Sequence, residues 1–133
     1  MLVELVESGL ALVGVPLGEK GPTTPSWNLR HNAITSPNDV GQLQGKNVGL
    51  AHAYCSPSPT CAIDVDDYPV ARRWLSNNGF DLKRALQRPE SVLLASGKRN
   101  SIKLLYRLPH ASGPYTTKQI MSGENRVILE FRC

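Results

Sequence analysis

Residues 62–67 read Ala-Ile-Asp-Val-Asp-Asp, and this stretch decides the fold that we expect for the chain. Side chains alternate between the two faces of a strand. Asp64 and Asp66 should therefore share one face, while Ile63 and Val65 enter the core on the other. The pattern predicts a half-buried strand whose open face is acidic.

The two carboxylates of this strand should repel each other. The rise per residue places their Cα atoms about 6.6 Å apart, which corresponds to about 2 kcal/mol at an effective dielectric of about 20. A hard cation removes this repulsion, and Mg²⁺ or Mn²⁺ prefers such oxygen ligands. The alternative is that one aspartate is solvated and the other caps the next helix, but Asp67 is already suited to the cap. Asp64 and Asp66 are therefore predicted metal ligands.

Glu130 interrupts the apolar run Val-Ile-Leu-Glu-Phe of residues 127–131. A two-metal site for in-line displacement needs about three carboxylates, so we predict that Glu130 is the third ligand. The alternative is a glutamate on an edge strand that faces solvent and pairs with Arg126 or Arg132.

A basic segment, residues 96–107, contains a small turn followed by a predicted strand. Lys103 and Arg107 should share one face of that strand. Cationic side chains and turn amides suit the oxygens of a triphosphate, although a basic turn is also typical of a solvated rim. The predicted nucleotide-binding residues are Ser96, Gly97, Lys98, Arg99, Lys103 and Arg107.

Short helices alternate with five or six strands along the chain. Helices are predicted at residues 1–8, 37–43 and 68–77, and after Asp81. Strands are predicted at residues 10–17, 47–53, 61–66, 91–95, 102–108 and 126–132. We expect the strand of residues 47–53, which ends near His52, to neighbour the aspartate strand. Residues 109–125 give no clear assignment. The pattern predicts an α+β fold with a mixed or antiparallel sheet and short flanking helices.

The composition indicates one soluble domain spanning residues 1–133. A net charge of +4 and a pI near 9.2 favour polyanionic partners. The N-terminus lacks a cationic region typical of a signal peptide, so we expect a cytoplasmic protein with no membrane association. The three cysteines are odd in number and form no CxxC motif, so we predict neither a disulfide framework nor a zinc site.

The order of these motifs resembles the N-terminal primase-polymerase domain of the archaeo-eukaryotic primase superfamily. The motifs are Gly49 in NVGL, then IDVDD, then a Ser-Gly turn with a basic strand, then LEFR. The resemblance implies a DNA primase/polymerase that uses a DNA template, a primer and dNTPs or NTPs. Such domains serve the replication of plasmids, phages and other mobile elements. Asp64 and Asp66 match the family's metal-binding pair, and Glu130 matches its third acid.

The chain departs from the family pattern at two points. Lys103 stands where the family usually has a histidine that contacts nucleotide phosphates; lysine keeps the charge but loses the imidazole acceptor. The family's domain also continues beyond the third acid through a Pro-Pro-Ser segment. We therefore expect a truncated catalytic core from a longer replication protein with a downstream helicase, whose activity needs more than this fragment. The alternatives are a metal-dependent nuclease and a non-catalytic module that binds DNA or nucleotide.

Overall fold

The computed structural model describes residues 1–89, 91–95, 98–108 and 116–133. The described residues form two compact units. The first contains Met1–Pro59, and the second contains Thr60–Leu108 together with residues 116–133. Among these residues, no helix is long and apolar enough to cross a membrane.

The first unit combines one α-helix, three short 3₁₀ helices and a two-stranded antiparallel sheet. Its elements are α1 (Leu2–Glu7), β1 (Leu12–Val15), β2 (Asn47–Leu50) and the 3₁₀ helices Arg30–Asn32, Pro37–Leu43 and His52–Tyr54. Ser36 caps the second of these 3₁₀ helices by accepting a hydrogen bond from the Asn38 amide. The buried side chains of this unit are Val6, Ala11, Leu12, Val13, Val15, Ala33, Ile34, Leu43, Ala51 and Cys55.

The second unit is a five-stranded antiparallel sheet with two helices, which confirms the predicted α+β class. Its elements are β3 (Thr60–Val65), α2 (Tyr68–Asn77), α3 (Leu82–Leu86), β4 (Val92–Ala95), β5 (Ile102–Arg107), β6 (Lys118–Met121) and β7 (Val127–Arg132). The strand order is β4-β5-β3-β7-β6. Since β3 is central, the aspartate strand has a neighbour on both sides.

Both helices of the second unit begin at an aspartate that caps them. Asp67 accepts a hydrogen bond from the Val70 amide, and Asp81 accepts one from the Arg84 amide. These side chains satisfy amide groups that the first turn of a helix leaves unpaired. Gly79 follows α2 with a φ of 80°, a conformation that favours glycine. Local sequence therefore sets where these helices begin and end.

One face of the five-stranded sheet forms the core of the second unit. Ile63 and Val65 of β3 are buried there, as the alternating pattern predicted. They belong to one apolar cluster with Ala71 and Leu75 of α2 and Leu104 of β5. Because neighbours along a strand point to opposite faces, Asp64 is directed to the other face.

A disulfide joins Cys61 to Cys133, a bond that the prediction of no disulfide framework did not anticipate. Antiparallel pairing of β3 with β7 aligns Ala62 with Arg132. The same register brings Cys61, before Ala62, opposite Cys133, after Arg132. Their Cα atoms lie 4.4 Å apart, a separation that a disulfide can span. A count of cysteines cannot reveal this partnership, because it depends on which strands pair. Cys55 is buried and takes no part in a disulfide.

One expectation about the strands also needed correction. The strand predicted at residues 47–53 does not pair with β3: β2 pairs with β1, and β3 pairs with β5 and β7. His52 belongs to a 3₁₀ helix in the first unit. Residues 109–125 had no predicted assignment; residues 109–115 lie outside the described part of the chain, and strand β6 lies within the remainder.

Tyr106 of β5 packs against the core of the second unit. Its hydroxyl is buried and has no hydrogen-bond partner in the described part of the chain. Burial raises the pKa of Tyr106 above its ordinary value of 10.0, and the nearby charge of Arg88 partly lowers it. The folded state thus favours the protonated phenol. The stability linked to this raised pKa is fully present below the pKa of Tyr106 in the unfolded chain. It is lost as the pH rises through the pKa of Tyr106 in the folded protein.

Reduction of the Cys61–Cys133 disulfide should destabilise the second unit. The bond spans a sequence separation of 72, and cross-links of this kind typically contribute about 2–4 kcal/mol. We expect urea unfolding to show a loss of that size on adding reductant. The double variant Cys61→Ser/Cys133→Ser is the control and should not respond to reductant. Identical midpoints for the oxidised and reduced wild-type protein would contradict the prediction.

The Tyr106→Phe variant should be as stable as the wild type at neutral pH, or more stable by about 1 kcal/mol, because it removes a buried hydroxyl that lacks a partner. It should also lose less stability than the wild type when the pH is raised above about 10. Urea unfolding at neutral and alkaline pH measures both effects. A marked loss of stability at neutral pH would mean that the hydroxyl has a partner.

Candidate functional site

A row of polar side chains crosses the centre of the five-stranded sheet. Asp64 of β3 lies directly opposite Lys103 of β5 on one side and Glu130 of β7 on the other. Residues that lie opposite each other in an antiparallel sheet share a face. The pairing therefore brings three residues that are distant in the sequence together on the face away from the core.

The two carboxylates of this row are held by two cations. Lys103 Nζ lies 3.1 Å from Asp64 Oδ2, and Arg132 Nε lies 3.2 Å from the same oxygen. Arg132 Nη2 lies 2.9 Å from Glu130 Oε2. The side chains of Asp64 and Glu130 are only 17% and 13% exposed. Half-buried carboxylates need such compensation, because loss of hydration disfavours their charged forms.

Asp66 follows β3 and continues its ladder with β7, since its amide donates a 3.0 Å hydrogen bond to the Ile128 carbonyl. Its side chain is more exposed than that of Asp64, and its Oδ1 lies 3.7 Å from Lys98 Nζ. Asp66 is therefore directed to a different cation from the one that joins Asp64 and Glu130.

The donor atoms of the three acids suit a hard divalent cation, since carboxylate oxygens are the usual ligands of Mg²⁺ and Mn²⁺. Their side chains do not converge on one point. Arg132 engages Asp64 and Glu130, and Lys98 faces Asp66. Accordingly, no group of three or more His, Cys, Asp or Glu side chains in the described ranges is arranged to hold a metal ion. Metal binding by all three acids would require Arg132 to leave.

A cavity of about 430 Å³ opens beside Asp66, at the end of β3. It is bounded by the turn that precedes β5 and by the start of β7. Its lining residues are Asp66, Asp67, Lys98, Arg99, Asn100, Arg126 and Val127. Three cationic side chains and the carboxylates of Asp66 and Asp67 line this cavity. The excess of positive charge suits an anionic ligand.

Asp67 holds the walls of this cavity together. Its carboxylate caps α2 and also accepts a hydrogen bond from Arg126 Nη2. The next residue, Tyr68, donates its amide to the Asn100 carbonyl at 3.0 Å. Asn100 has a φ of 63°, the left-handed conformation of a tight turn. The start of α2 thereby anchors both the turn before β5 and the start of β7.

The predicted nucleotide-binding residues fall into separate positions. Lys98 and Arg99 line the cavity, and Lys103 lies in the central row. Arg107 shares the face of Lys103 but lies opposite Thr60, about 13 Å farther along β5. Ser96 and Gly97 lie outside the described residues.

Two arginines were not predicted as site residues. Arg126 lines the cavity, and Arg132 joins Asp64 to Glu130. The two-residue spacing of Glu130 and Arg132 could have indicated the position of Arg132, because residues two apart in a strand share a face. The alternative for Glu130 was wrong in placing it on an edge strand, since β7 lies between β3 and β6. Its pairing with Arg132, which that alternative also predicted, is confirmed.

The fold and its central row define an α+β protein in which acids on the middle strand β3 and on its neighbour β7 lie beside basic side chains. A family model described as bifunctional DNA primase/polymerase, N-terminal, matches residues 2–133. The chain therefore belongs to the Prim-Pol family, which confirms the resemblance. This membership gives the domain a primase/polymerase type of function, with DNA and nucleotides as the implied substrates. No curated protein and no solved structure matches the chain.

The Asp67→Ala variant should lower the free energy of unfolding by about 1 kcal/mol, because α2 loses its N-cap. The matched control is Arg126→Ala, which removes the ion pair but keeps the cap. Since Arg126 is 63% exposed, this control should lose no more than about 0.5 kcal/mol. Urea unfolding compares the two variants, and equal losses would contradict the capping role.

Proposed function

We propose that this domain is a metal-dependent nucleotidyltransferase that makes or extends primers on a DNA template. The observation that carries the proposal is the row Lys103, Asp64 and Glu130 at the centre of a Prim-Pol sheet. Asp66 follows on the same strand, beside a cationic cavity. Acids beside a pocket lined by cations suit phosphoryl chemistry.

Asp64, Asp66 and Glu130 are the proposed ligands of Mg²⁺ or Mn²⁺. When bound, such ions lower the pKa of a primer hydroxyl and neutralise charge on the leaving pyrophosphate. Asp64 and Glu130 supply the less exposed oxygens, and Asp66 supplies the oxygen nearest the cavity. Asp64, Glu130 and Asp66 would therefore hold the ions beside the cavity proposed for the nucleotide.

The basic side chains are the proposed triphosphate ligands. Lys98, Arg99 and Arg126 line the cavity next to Asp66, so a triphosphate there would meet cations on several sides. Lys103 lies within ion-pair distance of Asp64 and would neutralise phosphate oxygens near the reacting centre. Ser96, Gly97 and Arg107 stay predicted nucleotide ligands.

The wider biological setting is part of the proposal and rests on the family. Template and primer DNA are the proposed macromolecular partners, which a chain with a net charge of +4 suits. A role in mobile-element replication, a downstream helicase, a single domain spanning residues 1–133 and a cytoplasmic location stay predictions.

Primer extension in Mg²⁺ or Mn²⁺ tests the assignment of the acids. Asp64→Asn and Asp66→Asn, made in the protein that carries this domain, should reduce nucleotide incorporation at least about a hundredfold, because an amide is a poor ligand for the catalytic cations. Asp81→Asn is the control; it alters a remote helix cap and should retain incorporation. Circular dichroism verifies that each variant is folded. Wild-type incorporation by both site variants would refute the proposal.

Nucleotide binding separates a transferase from a nuclease. A nuclease uses water as its nucleophile and needs no triphosphate pocket, whereas the proposed transferase should show a higher Tm with dNTPs or NTPs in Mn²⁺. The double variant Lys98→Ala/Arg99→Ala should lose most of that increase. DNA cleavage without any nucleotide-dependent change in Tm would favour the nuclease. DNA binding that survives both aspartate substitutions, without incorporation by the wild type, would favour a non-catalytic module.

A further inference from the structure

Arg132 contacts both Asp64 and Glu130, the two carboxylates of the central row, which are called the acid pair below. It follows Glu130 by two residues on β7 and lies opposite Ala62 of β3, so it shares the face of the central row. Its guanidinium contacts Asp64 Oδ2 through Nε at 3.2 Å and Glu130 Oε2 through Nη2 at 2.9 Å. One cation thus joins two carboxylates that belong to different strands.

Lys103 does not have this bridging role. Lys103 Nζ contacts Asp64, whereas the planar guanidinium of Arg132 presents separate N–H groups in fixed directions to two acceptors. Without Arg132, Glu130 would lose the ion pair that joins it to its neighbour on β3. Arg132 is therefore the group that allows two half-buried carboxylates to lie side by side.

The Arg132 contacts use the same carboxylates that the proposed function assigns to the metal. Two cations cannot share these oxygens at contact distance without strong repulsion. The Arg132 side chain is 47% exposed, so its charged group can turn towards water. Its backbone is held by the ladder with β3 and by the adjoining Cys61–Cys133 disulfide, which restricts the change to the side chain.

We propose that Arg132 is the resident counter-cation of the acid pair, a positioning residue that neutralises Asp64 and Glu130 until a divalent cation displaces it. This inference rests on the proposed metal site and adds a property that the family assignment does not contain. Arg132 lowers the affinity of the site for the metal, and it stabilises the fold while the metal is absent.

Manganese binding to the wild type and to Arg132→Gln tests the proposal. The variant lacks the competing charge, so it should bind Mn²⁺ about tenfold more tightly in isothermal titration calorimetry. Without metal it should have a lower Tm than the wild type, and Mn²⁺ should raise its Tm by a larger amount. Neither measurement requires catalytic activity.

Lys118→Gln is the matched control. It removes one positive charge from the neighbouring strand β6, but Lys118 is exposed and lies opposite Phe131, on the other face of the sheet from Arg132. The Lys118→Gln variant should bind Mn²⁺ with an affinity within about twofold of the wild type, because solvent ions screen an exposed charge on the opposite face of the sheet. An equal gain of affinity in both variants would attribute the effect to net charge and overturn the proposal.

The outcomes separate this inference from the proposed function. Wild-type binding of Mn²⁺ that is lost in Asp64→Asn supports the metal site. If Arg132→Gln then binds Mn²⁺ equally or more weakly, Arg132 is not a competitor, and only the inference fails. If neither the wild type nor Arg132→Gln binds Mn²⁺, the metal site fails and the inference fails with it.

A measurement on the wild type covers the case in which Arg132→Gln does not fold. Nuclear magnetic resonance can follow the arginine Nε–H signals while Mg²⁺ is added. The Arg132 signal should shift as its carboxylate partners are taken by the cation, whereas the signal of Arg84 on α3, the helix that packs against the core face of the sheet, should change little. An unchanged Arg132 signal at saturating Mg²⁺ would overturn the proposal.

Discussion

The antiparallel pairing of β3 with β7 sets the arrangement of the second unit. One register brings Asp64 opposite Glu130, aligns Ile63 with Phe131 on the core face and brings the two disulfide-bonded cysteines together. A slip of one residue would turn each side chain of a strand to the opposite face. The acid pair would then enter the core, and the apolar side chains would face outward.

Electrostatic compensation follows from that register. Two carboxylates with little exposure lie side by side, and Lys103 and Arg132 supply the opposing charge from both neighbouring strands. The sheet can therefore form before any cation binds. The ion pairs of Lys103 and Arg132 with these carboxylates stabilise the fold without metal, and the same positive charges oppose metal binding. The stability of the domain is therefore linked to its proposed chemistry.

The more exposed part of the site lies at the strand ends, where the chain turns. Asp67 joins the start of α2 to Arg126, while the Tyr68 amide holds the turn that carries Lys98 and Arg99. A rigid sheet thus presents a cationic cavity formed by short connecting segments, a common location for ligand-binding residues.

Local sequence determined the features that depend on neighbouring residues: the aspartate caps of α2 and α3, the helix bounds and the alternation that separates Asp64 from the core. Tertiary structure decided the strand order, the disulfide, strand β6 and the bridging position of Arg132. Caps and alternation involve residues a few positions apart, so their physics is visible in the sequence. The pairing of β3 with β7 brings together cysteines with a sequence separation of 72. Such distant partners depend on the packing of the whole sheet, which no local pattern encodes.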